Sequence, residues 1–255
     1  MSNDFTDRVI VVTGGASGMG AASAQEFVSR GARVAIIDRN ADGAMKVAEH
    51  CAALGQQPMI ISGDVADSGF CDSVVDQVLE AYGRVDVLVN AAGTIHRADS
   101  LGTNDDDWRR VMSVNIDGMF YLCRAALRLM VAAKSGSIVN FGSIWGGVGS
   151  AGSTAYCVSK GAVHQLTRAL ALDHVEQGIR VNAVAPGEVN TPMLASERAT
   201  PPTAADLQAL AEATIPMKRL AEPEEIARVV AFLASDAASY MTGEIVHVDA
   251  GYTAR

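Results

Sequence analysis

The stretch "VVTGGASGMG", residues 11–20, connects a short apolar run to a longer segment with a helical pattern. Its glycines, Gly14, Gly18 and Gly20, allow a tight turn in which backbone N–H groups approach a bound group closely. A helix that begins directly after the turn presents its positive end at the same point. The stretch therefore predicts a strand, a turn and a helix that together hold a phosphate group. An ordinary glycine-rich turn is the alternative interpretation.

The same alternation continues along the chain. The apolar runs are "RVIVV", "RVAIID", "PMIIS", "VDVLVN", "SIVNFGS", "IRVNAVAP" and "EIVHVD", and helical patterns cover 18–30, 41–54, 68–82, roughly 105–133, 153–175 and 222–235. Runs that are apolar at nearly every position, separated by helices, are typical of a parallel sheet covered on both faces. We therefore expect a doubly wound α/β Rossmann fold. No repeat or linker divides residues 1–255, which predicts a single domain.

One segment, 191–220, departs from this regularity because four prolines interrupt short helical pieces in it. Insertions of this kind between a late strand and a helix commonly form mobile lids or binding loops. We expect a substrate lid here, with a merely decorative surface loop as the alternative.

Charge and cysteine content narrow the function. The net charge of −9 and the pI near 5.0 disfavour nucleic acid and anionic lipid as partners. The four cysteines show no C-x-x-C and no paired spacing, which disfavours a zinc site or a disulfide framework. The N-terminus has no leader-like pattern, and no window of 18 uncharged apolar residues occurs. We expect a cytoplasmic protein that does not enter the membrane.

The second apolar run ends in Asp38, 18 residues beyond Gly20. A carboxylate at the end of that strand can accept hydrogen bonds from both hydroxyls of a ribose and repels a 2′-phosphate. The position therefore predicts NAD rather than NADP, although Arg39 could hold a 2′-phosphate. A solvated aspartate at a strand end is the alternative.

Tyr156 and Lys160 are four residues apart in the predicted helix 153–175, so they can share one face. Tyrosine has an ordinary pKa of about 10 and is a poor base at neutral pH. A cation about 4 Å away is worth on the order of 4 kcal/mol toward the tyrosinate at an effective dielectric of about 20. We therefore expect the lysine to lower the tyrosine pKa in an acid/base pair. An amphipathic pair at a helix edge is the alternative.

Taken in order, these and further motifs resemble the short-chain dehydrogenase/reductase family along essentially the whole chain. The motifs are T-G-x-x-x-G-x-G at 13–20, "GDV" at 63–65, "NAAG" at 90–93, Asn115, Ser143, Y-x-x-x-K at 156–160, "PG" at 186–187 and "MTGEIVHVDAGYTA" at 241–254. Ala91 and Ala250 depart from the family, which more often has Asn and Gly there. The resemblance implies a seven-stranded sheet and hydride transfer between a nicotinamide cofactor and an alcohol or carbonyl.

The resemblance also implies individual roles. Tyr156 exchanges the proton of the substrate hydroxyl, Ser143 donates a hydrogen bond to its oxygen, Lys160 holds the nicotinamide ribose, and Asn115 supports a proton route to solvent. The resemblance further implies a set of residues that bind the cofactor, from its adenine to its nicotinamide. They are Gly14, Ser17, Gly18, Met19, Gly20, Asp38, Arg39, Asp64, Val65, Asn90, Ala91, Gly93, Tyr156, Lys160, Pro186, Gly187, Val189 and Thr191.

Substrate recognition is assigned to the residues expected between the nicotinamide and Ser143: His96, Ser143, Trp145, Ser150, Glu188 and the 191–220 segment. Glu188 could accept hydrogen bonds from a polyol or sugar, or it could point to solvent.

Residues 105–107 are typical of a helix start rather than of a metal site, and no metal is expected.

The leading hypothesis is an NAD-linked dehydrogenase of a small polyol, sugar or cyclic secondary alcohol. A 3-oxoacyl carrier-protein reductase using NADPH and a non-catalytic NAD-binding regulatory module are the alternatives. By resemblance we also expect a homotetramer, formed through helices 105–133 and 153–175 and the C-terminal strand.

Overall fold

Strand β1 (Val9–Thr13) is buried along its whole length. In the computed structural model, which describes residues 4–198 and 200–254, its side chains alternate between two apolar clusters. Ile10 and Val12 belong to one cluster, and Val9 and Val11 belong to the other. A strand with both faces covered has no need of polar positions, which explains the continuous apolar run.

The sheet has seven strands in the order β3-β2-β1-β4-β5-β6-β7, all parallel, which confirms the predicted Rossmann fold. The remaining strands are β2 (Arg33–Asp38), β3 (Met59–Ser62), β4 (Val87–Asn90), β5 (Gly136–Phe141), β6 (Ile179–Pro186) and β7 (Ile245–Val248). The chain order reverses between β1 and β4, where Thr13 pairs with Asn90. Ligands of open α/β sheets bind outside the carboxyl ends of the strands at such a point.

The helices are α1 (Gly18–Ser29), α2 (Ala41–Leu54), α3 (Ser68–Tyr82), α4 (Asp105–Met112), α5 (Gly118–Ala133), α6 (Thr154–His174), α7 (Ala204–Thr214) and α8 (Pro223–Ala234). Helices α1, α2 and α8 pack on one face of the sheet, and α3, α5 and α6 pack on the other. Asn40, Asp67 and Asn104 begin α2, α3 and α4 by accepting backbone N–H bonds. No helix in the described ranges is both long and apolar enough to cross a membrane.

The predicted helix over 105–133 is not continuous. A π-helical turn, Ser113–Asp117, separates α4 from α5. Asn115 lies fully buried in this turn, and its side chain bonds outside the helix. Such π-turns inside α-helices occur frequently at functional sites.

The proline-interrupted segment 191–220 contains a short 3-10 turn, Pro192–Leu194, and helix α7. It follows β6 and therefore starts at the carboxyl edge of the sheet. Its mobility as a lid stays a prediction.

Candidate active site

A continuous groove runs along the carboxyl edge of the sheet. One cavity holds Asp64 and Val65, and it shares Gly14, Asp38 and Arg39 with the next cavity. That second cavity shares Met19, Thr191 and Met193 with a third, which contains Ser143 and Tyr156. The shared linings bring the glycine turn and the Tyr156 region into one elongated site.

The glycine turn is shaped by close backbone approach. Gly14 has φ 65°, and a Cβ atom there would lie 2.7 Å from the backbone of Ala92. A Cβ on Gly20 would lie 2.2 Å from the carbonyl oxygen of Gly14. Because α1 starts at Gly18, its first backbone N–H groups face the groove, with Ser17 preceding them. This cradle fits the pyrophosphate of a dinucleotide.

Asp38 lies at the end of β2 and lines two of the three cavities together with Arg39. Its Oδ2 accepts from the Ala16 N–H at 3.0 Å, and its Oδ1 accepts from the Asn40 N–H at 2.9 Å. These two bonds fix the carboxylate beside the glycine turn. Its negative charge opposes a phosphate at the same place.

Asn90 does not present its side chain to the groove. The side chain is buried, and its Nδ2 donates to Asn140 Oδ1 at 2.9 Å and to the Cys123 sulfur at 3.2 Å. Ala91 and Gly93, by contrast, line the groove. Any contact of Asn90 with a ligand therefore has to come from its backbone.

The catalytic candidates come from β5 and α6. Ser143 follows β5, and its hydroxyl oxygen accepts from the Trp145 N–H at 3.2 Å. Tyr156 lies in the first turn of α6 and packs edge-on against Trp145, with 6.0 Å between ring centroids. Lys160, one turn later, places its Nζ 5.5 Å from the Tyr156 ring centroid and donates to the Phe141 carbonyl at 2.7 Å. The predicted pair therefore shares one face of the helix.

Burial controls the protonation of this pair. It raises the pKa of Tyr156 to about 12, opposed by a hydrogen bond with Ser143 and reinforced by the charge of Glu188. It also lowers the pKa of Lys160 to about 8. The net shift of the Tyr156 pKa in the protein alone is therefore upward, because desolvation of the phenolate is the largest influence on it. That Lys160 itself lowers this pKa stays a prediction.

Asn115 connects three elements behind the site. Its Oδ1 accepts from the Thr94 N–H at 2.8 Å, and its Nδ2 donates to the Thr94 carbonyl and the Ser159 hydroxyl, both at 2.9 Å. The side chain thus fixes the segment after β4 against α6. These bonds use both hydrogens of Nδ2 and one of the two acceptor positions of Oδ1. A contribution of Asn115 to proton transfer stays a prediction.

The third cavity, around Ser143 and Tyr156, is the candidate substrate cavity, and it contains Ser143, Trp145, Tyr156 and Glu188 from the sequence-based assignment. The full lining is Met19, Ile95, Arg97, Gly142, Ser143, Ile144, Trp145, Tyr156, Pro186, Gly187, Glu188, Val189, Thr191, Met193 and Leu194. His96 and Ser150 are not part of it. Burial raises the pKa of Glu188, whereas Arg97 and Arg198 oppose that rise.

His96 instead connects the segment after β4 to the proline-rich segment. Its Nδ1 lies 2.9 Å from Glu197 Oε2, and Arg110 donates to the other oxygen of Glu197 at 2.7 Å. Glu197 has φ 56°, which is unusual for a residue with a side chain. This contact, which we call the Glu197 latch (His96, Arg110 and Glu197), holds the first part of the 191–220 segment over the cavity.

The sequence does not indicate Arg97 as a site residue. It stands in an irregular stretch between β4 and α4, where neither periodicity nor a motif distinguishes it from a solvated arginine. The one sequence feature that points to Arg97 is that it directly follows His96, a candidate for substrate recognition.

Comparison with known proteins agrees with this geometry. Residues 14–253 match the family model described as enoyl-(acyl carrier protein) reductase. The chain is 44% identical to a cis-4-hydroxycyclohexanecarboxylate dehydrogenase of Sinomonas cyclohexanicum over 100% of both chains. It is 43% identical to a galactitol 2-dehydrogenase (L-tagatose-forming) of Cereibacter sphaeroides, covering 95% of this chain and 93% of that protein.

Solved structures give the same result. The structure of levodione reductase superposes with a TM-score of 0.93 at 32% identity, covering 98% of this chain and 99% of that chain. The chain belongs to the short-chain dehydrogenase/reductase family. It is an oxidoreductase that acts on CH–OH groups and uses a nicotinamide cofactor.

Proposed function

We propose that this protein is an NAD(H)-dependent dehydrogenase of a small cyclic secondary alcohol or polyol. The observation that carries the proposal is the single groove that leads from the carboxylate of Asp38 to the hydroxyls of Ser143 and Tyr156. Relatives named for a cyclic hydroxy acid and for galactitol support the substrate class.

Asp38 supports the choice of NAD. Two backbone N–H bonds fix its carboxylate beside the glycine turn. There it can accept hydrogen bonds from the ribose hydroxyls and repels a 2′-phosphate. Arg39 is exposed and makes no hydrogen bond or ion pair to the described residues, so it is the residue on which NADP binding would depend.

The bound nicotinamide supplies the hydride acceptor for alcohol oxidation. The protein's own part is proton transfer and charge stabilisation. Ser143 donates its hydroxyl hydrogen to the substrate oxygen, and the Tyr156 phenolate oxygen takes the proton of the substrate hydroxyl. Lys160 holds a positive charge 5.5 Å from the Tyr156 ring, which favours the phenolate in the reacting state.

Tyr156→Phe tests this assignment with little change of shape. Turnover is expected to fall by at least about 100-fold, because general acid–base catalysis contributes 10²–10⁴-fold. NADH binding, followed by its fluorescence, should stay near the wild-type value. Retention of wild-type kcat would contradict the role of Tyr156.

The substrate class is tested by supplying cyclic alcohols, polyols, sugars and oxoacyl thioesters, each with NAD(H) and with NADP(H). Reduced nicotinamide absorbance reports turnover. We expect the cyclic alcohols and polyols with NAD to be turned over fastest. Fastest turnover of oxoacyl thioesters with NADPH would instead support a carrier-protein reductase, and no turnover at all would support a regulatory NAD-binding module.

We also propose a homotetramer in the cytoplasm. A surface groove between α5 and α6 is lined by the apolar residues Phe120, Leu127, Val131 and Leu170 and by the polar or charged residues Arg124, Arg128, Asp173 and His174. The residues Phe120 and Leu172 are 41% and 78% exposed. Large exposed apolar side chains on two adjacent helices suit a contact between subunits. Light scattering after size exclusion measures the subunit number.

The four cysteines are free thiols, which suits a reducing compartment such as the cytoplasm.

A further inference from the structure

The substrate cavity contains a cation that the reaction does not require. Arg97 lies between β4 and α4 and lines the same cavity as Ser143 and Tyr156. It is half-buried, and burial is the largest of the influences that lower its pKa. Partial burial of a guanidinium that has no carboxylate paired with it is costly, and a ligand anion in the cavity would offset that cost.

The guanidinium is held in a fixed orientation. Its Nε donates to the Ser196 carbonyl at 3.1 Å, and its Nη2 donates to the Met193 carbonyl at 3.2 Å. Its Nη1 makes no hydrogen bond to any residue of the ranges 4–198 and 200–254, and no carboxylate in those ranges lies within ion-pair distance. Arg110 nearby differs, because it pairs with both Asp107 and Glu197.

Glu188 is the other charged residue of the lining, and it influences the pKa of Arg97 without forming an ion pair with it. An anionic ligand group is therefore attracted at Arg97 and repelled at Glu188. Most of the remaining lining is apolar, including Ile95, Trp145 and Leu194. A ligand that satisfies this arrangement has an anionic group at one end, an apolar body, and a hydroxyl that reaches Ser143 and Tyr156.

We propose that Arg97 binds a carboxylate of the substrate, so that the enzyme acts on hydroxy acids in which an apolar ring or chain separates the carboxylate from the reacting carbinol. The inference rests on the proposed dehydrogenase function. A guanidinium with one free donor edge suits a monoanion, and Arg is well matched to carboxylates in geometry and charge. Arg97 acts here as a specificity residue and takes no part in proton transfer.

The test compares an acid with its neutral isostere. The two probes are 4-hydroxycyclohexanecarboxylate and 4-hydroxycyclohexanecarboxamide, each assayed with saturating NAD. The quantity measured is the ratio of kcat/KM for the acid to kcat/KM for the amide. We expect the wild-type ratio to exceed one and Arg97→Gln to lower it about 10- to 100-fold, mainly through KM of the acid. Arg97→Lys should keep part of the preference because it keeps the charge.

The ratio separates anion binding from a purely structural role. Arg97 also holds two carbonyls of the 191–198 stretch, so its loss can slow both probes together. That effect cancels in the ratio. Arg198→Gln is the comparison variant, because Arg198 likewise donates to a carbonyl of this stretch, that of Leu194, and its charge acts on Arg97 and Glu188, but it does not line the cavity. Its ratio should fall much less than that of Arg97→Gln.

A direct binding measurement completes the design. Cyclohexanecarboxylate has no hydroxyl to oxidise, and calorimetry should detect its binding to wild-type enzyme with NADH and a loss of at least about tenfold in affinity with Arg97→Gln. An acid/amide ratio that is equal in wild type and Arg97→Gln overturns the proposal while oxidation of the amide leaves the proposed function standing. Failure of the wild type to oxidise any alcohol in the broader substrate panel refutes the proposed function itself.

Discussion

Lys160→Met is expected to change how the stability of the protein depends on alkaline pH. The lysine side chain is almost fully buried, and its Nζ donates to the Phe141 carbonyl at 2.7 Å. Burial lowers its pKa from 10.5 to about 8. At 1.36 kcal/mol per pKa unit, this depression corresponds to a cost of about 3 kcal/mol for keeping the charged lysine in the folded protein at neutral pH.

The sign follows from the depressed pKa. Near pH 7 the lysine is charged in both states, so the folded wild type carries nearly the full cost. As the pH rises from 8 toward 10.5, the folded lysine loses its proton before the unfolded one does, and the cost disappears. From pH 7 to pH 10 the wild type should therefore gain about 2.5 kcal/mol relative to Lys160→Met. In the variant, the Phe141 carbonyl loses its hydrogen bond from Lys160. This loss destabilises the variant equally at both pH values, so it does not contribute to the difference between them.

Urea unfolding of both proteins at pH 7 and pH 10, at one protein concentration and without cofactor, measures this difference. Lys46→Met is the control, because Lys46 is exposed, and its effect on the free energy of unfolding should be small at both pH values. A Lys160→Met effect that is the same at pH 7 and pH 10 would refute the reasoning.

Three further substitutions test other parts of the site. Asp38→Ala should lower the ratio of kcat/KM for NAD to that for NADP by about 100-fold, since it removes ribose acceptors and a charge that repels phosphate; equal ratios would exclude Asp38 as the selector. Glu188→Gln should move the pH profile of alcohol oxidation to lower pH, because the Glu188 charge raises the pKa of Tyr156; an unmoved profile would argue against this coupling. Glu197→Gln weakens the Glu197 latch and should raise KM for the alcohol about tenfold, with KM for NAD nearly unchanged.

The sequence was sufficient for the sheet, for α1–α3 and for the placement of Tyr156 and Lys160 on one helix face, because each depends on local pattern. Buried parallel strands are apolar throughout, and the spacing of Tyr156 and Lys160 is that of one helical turn. The same patterns do not say which way a polar side chain turns. Asn90 ends a buried strand, and only the packing of β5 and α5 beside it shows that its amide points into the core.

Contacts between residues that are distant in sequence explain the features that the sequence did not predict. The π-turn at 113–117 depends on the bonds of Asn115 to Thr94 and Ser159, which are distant in sequence. The raised pKa of Tyr156 depends on how completely α6 and β5 enclose it, and periodicity does not measure enclosure. Arg97 joins the cavity only because the 191–198 stretch folds back over it.

The energetics of Tyr156 and Lys160 then suggest how the site favours the transition state. In the protein alone the phenol resists ionisation, and the lysine is charged at neutral pH although burial disfavours that charge. A phenolate that forms beside the ammonium gains a neighbouring positive charge, and the buried ammonium gains an opposite charge. An interaction that strengthens only as charge develops lowers the activation barrier without tightening ground-state binding. The two residues should therefore act as a unit, and Tyr156→Phe combined with Lys160→Met should lower kcat little more than either change alone. Additive losses in this double-mutant cycle would show that they contribute separately.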